Sequence, residues 1–191
     1  EQPEPLASPI IDNHTHIASV VNFAIEMSKQ AEERGMESVP VFSVEELLRK
    51  AEESGVKHLI DVGCELPNLN RAVNIAKQYP NQVKAAVAIH PNETVLHGHR
   101  GEVGPDGLAV SYKPWHEVNI DEAMRTVYET ACNNRADVVA IGETGLDYFR
   151  TGEGARQAQI QAFREHIAIA KELHLPLQIH DRDAHEDVIN T

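Results

Sequence analysis

Three side chains that could act together in metal chemistry alternate close to the N-terminus of the chain. Asp12, His14 and His16 follow the apolar pair Ile10 and Ile11. In a β-strand, residues two apart face the same side. Two neutral imidazoles on one face suit a divalent transition metal, and a nearby carboxylate can orient an imidazole ring. The alternative is a polar strand end with two ordinary surface histidines. Residues elsewhere in the chain are needed to distinguish a metal site from surface histidines.

Further candidate ligands end the apolar segments downstream, and these are Glu65, His90, Glu143 and His180. In a (β/α)8 barrel the active site is built from the carboxyl ends of several parallel strands. Structural histidines should scatter without regard to strand ends, so the coincidence favours a metal site. Taken singly, Glu143 could be a solvent-facing carboxylate and His180 a core histidine bonded to the backbone. His90 could contact substrate instead of metal.

Five strand–helix units are expected to position these residues. The strands are predicted at about 9–17, 58–63, 83–90, 138–143 and 176–180, and Thr144 to Asp147 is predicted to form a tight turn. Helices are predicted at about 19–34, from a capping box at Ser43, from Pro67, from Ile120 to Ala131, at 155–174 and from Asp183. Strands that alternate with helical segments five times predict an α/β fold with parallel βα units. Residues 1–8 are predicted to be a flexible arm, and 9–191 a partial barrel domain.

Composition narrows the possible functions. The net charge is −13, from 17 basic and 30 acidic residues, which argues against broad non-specific nucleic-acid binding. It does not argue against a phosphate substrate held by bound cations. No apolar run approaches the roughly 20 residues of a membrane span and no secretory leader is visible. We therefore expect a cytoplasmic protein without membrane contact. Cys64 and Cys132 are expected to be free thiols, although one disulfide stays open as an alternative.

Four motifs along the chain resemble those of the TatD-type metal-dependent deoxyribonucleases. They are DNHTHI at 12–17, AIHP at 88–91, IGETGLDYF at 141–149 and QIHDRDAH at 178–185, in the order and approximate spacing of that family. The likeness covers essentially all of residues 9–191. The segments GCELPNLNRAV and HPNE resemble sequences of the actinobacterial branch of that family.

This resemblance implies a TIM-type (β/α)8 barrel with two divalent metal ions, Mg2+, Mn2+ or Zn2+, that hydrolyses phosphodiester bonds of DNA, as an exonuclease on single strands. Carried over by position, His14 and His16 would bind one metal, His180 would bind the second, and Glu143 would bridge both and be catalytic. His90 and Arg182 would contact the substrate. Asp12 and Asp147 would orient imidazole rings. Two cations can activate a water and stabilise the leaving oxygen of an in-line displacement. The planar guanidinium of Arg182 suits a phosphate.

The chain departs from the family in one large respect. Two family motifs, a histidine strand end and a late aspartate turn, would follow residue 191, and five strands do not close a barrel of eight. The expectation is that a further C-terminal segment or a second polypeptide completes the barrel. Alone, the 191-residue chain is expected to bind metal weakly and to be poorly active.

Three other functions stay open. An amidohydrolase, such as a deaminase or lactonase, shares the first motif, but many dinuclear members place a carboxylated lysine where this chain has Glu143. Hydrolysis of a D-aminoacyl-tRNA ester is the second alternative, and a non-catalytic binding remnant of the barrel is the third.

The long connection at 91–118 should lie on the active-site side, because it follows the third strand. His97 and His99 there are expected to be solvated. The aromatic side chains of Trp115 and His116, with Tyr148 and Phe149 after the fourth strand, could stack the bases of a single strand or pack the loop onto the barrel rim.

Overall fold

A five-stranded parallel sheet, with its strands in chain order, forms the centre of the computed structural model, which describes residues 3–97 and 102–191. The strands are β1 Ile10–Thr15, β2 Val56–Gly63, β3 Val83–Val87, β4 Val138–Asp147 and β5 Leu177–Arg182. The helices are α1 Ile17–Glu33, α2 Val44–Glu53, α3 Leu66–Gln78, α4 Pro91–Thr94, α5 Ile120–Asn133, α6 Arg156–Leu173 and α7 His185–Asn190. Two 3-10 turns, Pro114–Glu117 and Glu153–Ala155, complete the set. The predicted α/β order of strands and helices is confirmed.

The main core lies between the sheet and the helices that cover one of its faces. It is built from fully buried aliphatic side chains of β3, α3, α5 and α6, such as Val83, Val87, Leu69, Val127 and Ala170. Strand β3 is buried along almost its whole length, as expected of a parallel strand with both faces covered. Burial of these apolar side chains holds each helix against the strands that it covers, and this packing fixes the positions of the strand ends.

The sheet curls into an open half-barrel. A second, small cluster of Ile60, Val62, Cys64, Ala86 and Ala140 is separate from the main core. The side chain of Gln178 on β5 donates a hydrogen bond to the carbonyl of Asn13 on β1, although these strands are at opposite ends of the strand order. That contact requires strong curvature, so the strand ends of β1, β4 and β5 face a common point.

The predicted element bounds need two corrections. Strand β3 ends at Val87 rather than near residue 90, although the backbone N–H groups of Ala88 and His90 still donate to the carbonyls of Gly63 and Cys64. Strand β4 does not end in a tight turn after residue 143. It continues to Asp147, because residues 144–147 pair with β5 up to Arg182.

Gly145 allows this extension of β4. Its φ is +140°, and a Cβ there would lie 2.0 Å from the carbonyl oxygen of His180 on β5. Only glycine accepts both that dihedral and that approach.

Three predictions concern the outer parts of the fold. The capping box of α2 is present, with Ser43 Oγ accepting from Glu46 N–H and the Glu46 carboxylate accepting from Ser43 N–H. Helix α1 lies close to the predicted range 19–34, and Ile17 is its buried residue, whereas Phe23 is 65% exposed. In the arm, Leu6 N–H donates to the Ser54 carbonyl.

The connection after β3 also differs from expectation. His97 is buried rather than solvated, with 1% of its surface exposed, because its Nδ1 is hydrogen-bonded to the Val118 carbonyl at 2.9 Å. His99 lies outside the described residues. Both cysteines are free thiols, Cys64 buried and Cys132 exposed. Within 3–97 and 102–191, the helices are all too short or too polar to traverse a lipid bilayer.

Candidate metal centre

The first group of converging donor atoms joins β1 to β4. The Nε2 atoms of His14 and His16 lie 3.3 Å apart, and His14 Nε2 lies 3.4 Å from Oε2 of Glu143. His16 Nδ1 is 2.8 Å from the Val62 carbonyl oxygen, which can only accept, so Nδ1 carries the proton. The lone pair of His16 is therefore on Nε2 and faces the group. A backbone partner on the other ring nitrogen is typical of metal-bound histidine.

The second group joins β4 to β5. His180 Nδ1 lies 2.8 Å from Oε1 of Glu143, and His180 Nε2 lies 3.0 Å from Oδ2 of Asp147. The two carboxylate oxygens of Glu143 therefore face different groups, Oε2 towards the histidines of β1 and Oε1 towards His180. One carboxylate placed between two sets of donors can bridge two cations. Glu143 follows Gly142 through a cis peptide.

His90 lies beside the second group but has a different tautomer. Its Nδ1 accepts a hydrogen bond from the backbone N–H of Asn92 at 3.2 Å. In the neutral ring Nε2 must then carry the proton, and this atom lies 3.2 Å from His180 Nδ1 and 3.9 Å from Glu143 Oε2. Burial lowers the pKa of His90 to about 4, so the ring is neutral. A neutral ring with a proton on Nε2 presents a donor rather than a metal-binding lone pair.

The charges of the group reinforce one another. Burial alone would raise the pKa of Glu143, but the hydrogen bond from His180 and the nearby histidines outweigh it and hold the pKa at about 2. Burial would likewise lower the pKa of His180, but its hydrogen bonds to Asp147 and Glu143 raise the pKa to about 9. The carboxylates are therefore ionised at neutral pH, as metal ligands must be.

Asp147 orients the ring of His180 and is itself held from several sides. Its carboxylate accepts from Asn92 Nδ2 at 3.2 Å and from the backbone N–H of Arg150 at 2.7 Å. Its backbone N–H donates to Oε1 of Gln159, and its carbonyl accepts from Thr151 Oγ1. Gln159 is fully buried and also donates from Nε2 to the Asp147 carbonyl.

A buried histidine on α6 connects the two strands behind the centre. His166 Nε2 accepts from the backbone N–H of Ile89, next to His90, and its Nδ1 lies 2.8 Å from Thr144 Oγ1, next to Glu143. Burial lowers its pKa to about 4. His166 therefore holds the backbone beside His90 and the side chain of Thr144 beside Glu143.

The remaining predicted residues occupy different places. Among the described residues, the Asp12 carboxylate accepts from the backbone N–H of His14 and is not bonded to an imidazole. The guanidinium of Arg182 lies 4.2 Å from the ring centroid of Phe149, at the exposed end of β5. Glu65 is the residue before α3 and belongs to neither group. Tyr148 and His116 are buried and hydrogen-bonded to Asp187 and Glu93, so loop packing rather than base stacking accounts for both.

Sequence reasoning missed Gln159, His166 and Asn92. The apolar stripe predicted for α6 is Ile160, Phe163, Ile167 and Ala170, and two of these, Phe163 and Ala170, are among the buried positions Gln159, Ala162, Phe163, His166, Ala170 and Leu173. Two polar residues on a buried helical stripe were the available signal. The Sγ of Cys64 also lies near the centre, 3.9 Å from Oε2 of Glu143.

The donor set fits divalent metal ions. Two sets of three ligand atoms each lie within 4.8 Å of one another, His14, His16 and Glu143 in one and His90, Glu143 and His180 in the other. Imidazole nitrogen with carboxylate oxygen is the mixture that Zn2+ and Mn2+ accept. His180 would bind an ion through Nδ1 once it releases the proton that it donates to Glu143, whereas Nδ1 of His90 already accepts from the Asn92 N–H, so His180 and Glu143 are the favoured ligands of the second set.

Curated relatives share the metal-dependent character. The chain is 32% identical over 146 residues to a protein of Bacillus subtilis named "Uncharacterized metal-dependent hydrolase YabD", which covers 76% of this chain and 47% of that protein. It is 29% identical over 145 residues to the "3'-5' ssDNA/RNA exonuclease TatD" of Yersinia pseudotuberculosis, covering 76% of this chain and 46% of that protein. The chain thus spans about half the length of these relatives.

Solved structures match the half-barrel. A TatD family hydrolase from Entamoeba histolytica superimposes with a TM-score of 0.65 at 20% identity, over 97% of this chain and 54% of that one. A TatD homologue from Escherichia coli gives 0.60 at 24% identity, over 94% and 53%. The predicted incomplete TIM-type barrel is confirmed by these folds. Because residues 11–191 match the family described as TatD related DNase, the chain belongs to that family of metal-dependent hydrolases.

Proposed function

We propose that this chain carries the metal-binding half of a hydrolase that cleaves phosphodiester bonds of single-stranded DNA from an end. The observation that carries the proposal is the position of Glu143, whose two carboxylate oxygens face separate histidine sets on β1 and β5. Two relatives named "3'-5' ssDNA/RNA exonuclease TatD", from Yersinia pseudotuberculosis and Salmonella typhimurium, support the choice of substrate.

In this proposal His14, His16 and Glu143 hold one divalent cation, and Glu143 and His180 hold the second. Two such cations, when bound, polarise a phosphoryl oxygen and make a water a better nucleophile. Because the chain provides few donors to each ion on an open half-barrel, we expect weak binding and slow turnover from these 191 residues alone.

The other residues bind and orient. Asp147 accepts from His180 Nε2 and so turns Nδ1 of that ring towards Glu143. The Nε2–H of His90 is placed to donate to a phosphate oxygen beside Glu143. The guanidinium of Arg182, which lies over the ring of Phe149, binds a second phosphate oxygen.

Metal binding and cleavage test the proposal separately. We expect calorimetric titration of Mn2+ into the 191-residue chain to show binding that Glu143→Gln weakens at least about tenfold, because the bridging carboxylate is lost. A 5'-labelled single-stranded oligonucleotide should be shortened slowly at saturating Mn2+ by the unsubstituted chain and not by the variant. Glu129→Gln on the exposed side of α5 is the matched control and should change neither measurement.

Equal Mn2+ affinity of the Glu143→Gln and Glu129→Gln chains would overturn the assignment of the centre. Metal binding without cleavage of DNA, but with release of an amino acid from a D-aminoacyl-tRNA, would move the function to ester hydrolysis.

A further inference from the structure

A cavity of about 230 Å³ lies next to the metal centre, between the end of α4, the segment 108–113 and the end of β4. Its lining combines apolar side chains, Val95, Leu96, Leu108 and Val110 among them, with polar and charged ones, and the side chain of Trp115 also lines it. The indole is held by a hydrogen-bond contact of 3.5 Å from its Nε1 to Glu93 Oε2. Trp115 is the single tryptophan of the chain.

Asn92 connects this cavity to the metal centre. It lines the cavity, and its Nδ2 donates to Oδ2 of Asp147, which also accepts from His180. Its Oδ1 is buried and has no hydrogen-bond partner in the part of the chain that the structure describes. Such an orphaned acceptor is unusual and calls for a donor from elsewhere.

Two carboxylates also line the cavity. Glu93 accepts from Nε2 of the buried His116 at 2.7 Å, and Glu65 lies close enough to Glu93 for the two charges to interact. Burial and the charge of Glu93 both raise the pKa of Glu65. Lys113 and Arg150 also line the cavity, so its charged groups include donors as well as acceptors, and Asn92 Oδ1 is the lining acceptor left without a partner among the described residues.

We propose that this cavity, walled by Trp115, Leu96 and Leu108 and bordered by Asn92, binds one nucleobase of a single-stranded nucleic acid, with preference for bases that carry an exocyclic amino group. The inference rests on the proposed function and adds a specificity pocket to it: the base belongs to the nucleotide beside the phosphate held at the metal centre.

Size and chemistry select this ligand. Pockets for drug-sized ligands occupy roughly 300–1,000 Å³, so a cavity of about 230 Å³ suits a single base-sized group. A base stacks on an aromatic ring with either face, and the apolar walls cover what the ring leaves open. Adenine, guanine and cytosine each offer amino N–H donors to the unpartnered Oδ1 of Asn92, whereas thymine has no exocyclic amino group.

Trp115 also borders a second hollow of about 270 Å³, shared with Phe23 of α1 and Arg71 of α3. This hollow lacks Asn92 among its lining residues. It provides a control, because Phe23 is 65% exposed and can be changed without altering the core.

Fluorescence of the single tryptophan tests the pocket without any cleavage. The 191-residue chain is titrated in EDTA with dAMP, dGMP, dCMP, dTMP and 2-deoxyribose 5-phosphate. We expect saturable quenching with the first three, at least about fivefold weaker binding of dTMP, and no quenching by the sugar phosphate. Ala109→Phe, which fills the cavity from its exposed rim, should weaken binding about tenfold, within the range that a base–aromatic stack contributes. Phe23→Ala should stay within twofold of the unsubstituted chain.

Equal quenching by dTMP and dGMP would overturn the preference, and unchanged binding in Ala109→Phe, or lost binding in Phe23→Ala, would overturn the pocket. Quenching as expected in a chain that cleaves no DNA would refute the proposed function and leave the pocket standing. Cleavage of DNA without quenching would do the reverse.

Discussion

Replacing Gln159 by methionine should destabilise the protein and loosen the metal centre together. Gln159 is fully buried and forms three hydrogen bonds, from Asp147 N–H to its Oε1 at 2.8 Å, and from its Nε2 to the Asp147 carbonyl at 3.1 Å and to Thr151 Oγ1 at 2.5 Å. Methionine matches the shape of glutamine but offers neither the acceptor nor the donors. The backbone N–H of Asp147 would then be buried without a partner.

The magnitude follows from these contacts. A buried donor left without a partner costs about 1–3 kcal/mol, and each further lost hydrogen bond about 0.5–1.5 kcal/mol. The Asp147 carbonyl keeps its hydrogen bond from Thr151 Oγ1, so its share of the loss is small. We expect Gln159→Met to lower the free energy of unfolding by about 2–4 kcal/mol, which moves the urea midpoint by about 1–2 M.

Urea unfolding followed by circular dichroism, in EDTA, measures this change. Gln161→Met is the matched control, because Gln161 is exposed on the same helix and contacts only Glu165 among the hydrogen-bond partners described, so its effect should stay within about 0.5 kcal/mol. A displaced Asp147 no longer orients His180, so Mn2+ affinity should fall about 10–100-fold as well. Equal midpoints for the two variants would refute the reasoning.

Three further predictions concern the centre and the strand beside it. His90→Gln should slow cleavage and leave the Mn2+ affinity nearly unchanged, whereas His180→Gln should weaken Mn2+ binding. Calorimetry measures the affinity of each variant, and cleavage of a labelled oligonucleotide measures its turnover. An equal loss of Mn2+ affinity in both variants would show that His90 is a metal ligand. Because the folded-state pKa of His180 is raised to about 9, above the unfolded value of about 6.5, its stabilising charge is fully present below pH about 6.5 and lost as the pH rises to about 9. The urea midpoint of the metal-free chain should therefore fall as the pH rises across that interval, and the midpoint of His180→Gln should change less with pH. A midpoint that does not change with pH in the unsubstituted chain would contradict this prediction. Gly145→Ala should lower the free energy of unfolding by more than about 3 kcal/mol, since the new Cβ would meet the His180 carbonyl oxygen at 2.0 Å. The control Gly107→Ala, with φ +70° and nothing within 4 Å of the new Cβ, should lower it by about 1 kcal/mol. Similar urea midpoints for the two variants would show that β4 moves to relieve the clash.

Sequence patterns were sufficient to predict the sheet and the strand-end residues. Period-two alternation places His14 and His16 together, and runs of apolar residues locate β3 and β4, because both signals arise from burial that is local to one element. The same holds for the capping box at Ser43, whose partners are three residues apart.

The remainder depends on contacts between elements that no local pattern encodes. The continuation of β4 through Gly145 is decided by its pairing with β5, and the burial of His97 is decided by a carbonyl at Val118. The tautomer of His90 depends on the turn at Asn92. The role of Gln159 appears only when α6 is packed behind Asp147.

The strand order of the sheet has a consequence for how the protein folds. Each strand pairs with the strands next to it in the chain, so the sheet can grow by docking one βα unit after another onto the strand that precedes it. The contact between His14 and Glu143 does not join neighbouring strands, since it connects β1 to β4 across the concave face of the curved sheet. Its geometry exists only after β4 has been added, so divalent cations should act on the finished sheet and slow its unfolding rather than speed its formation.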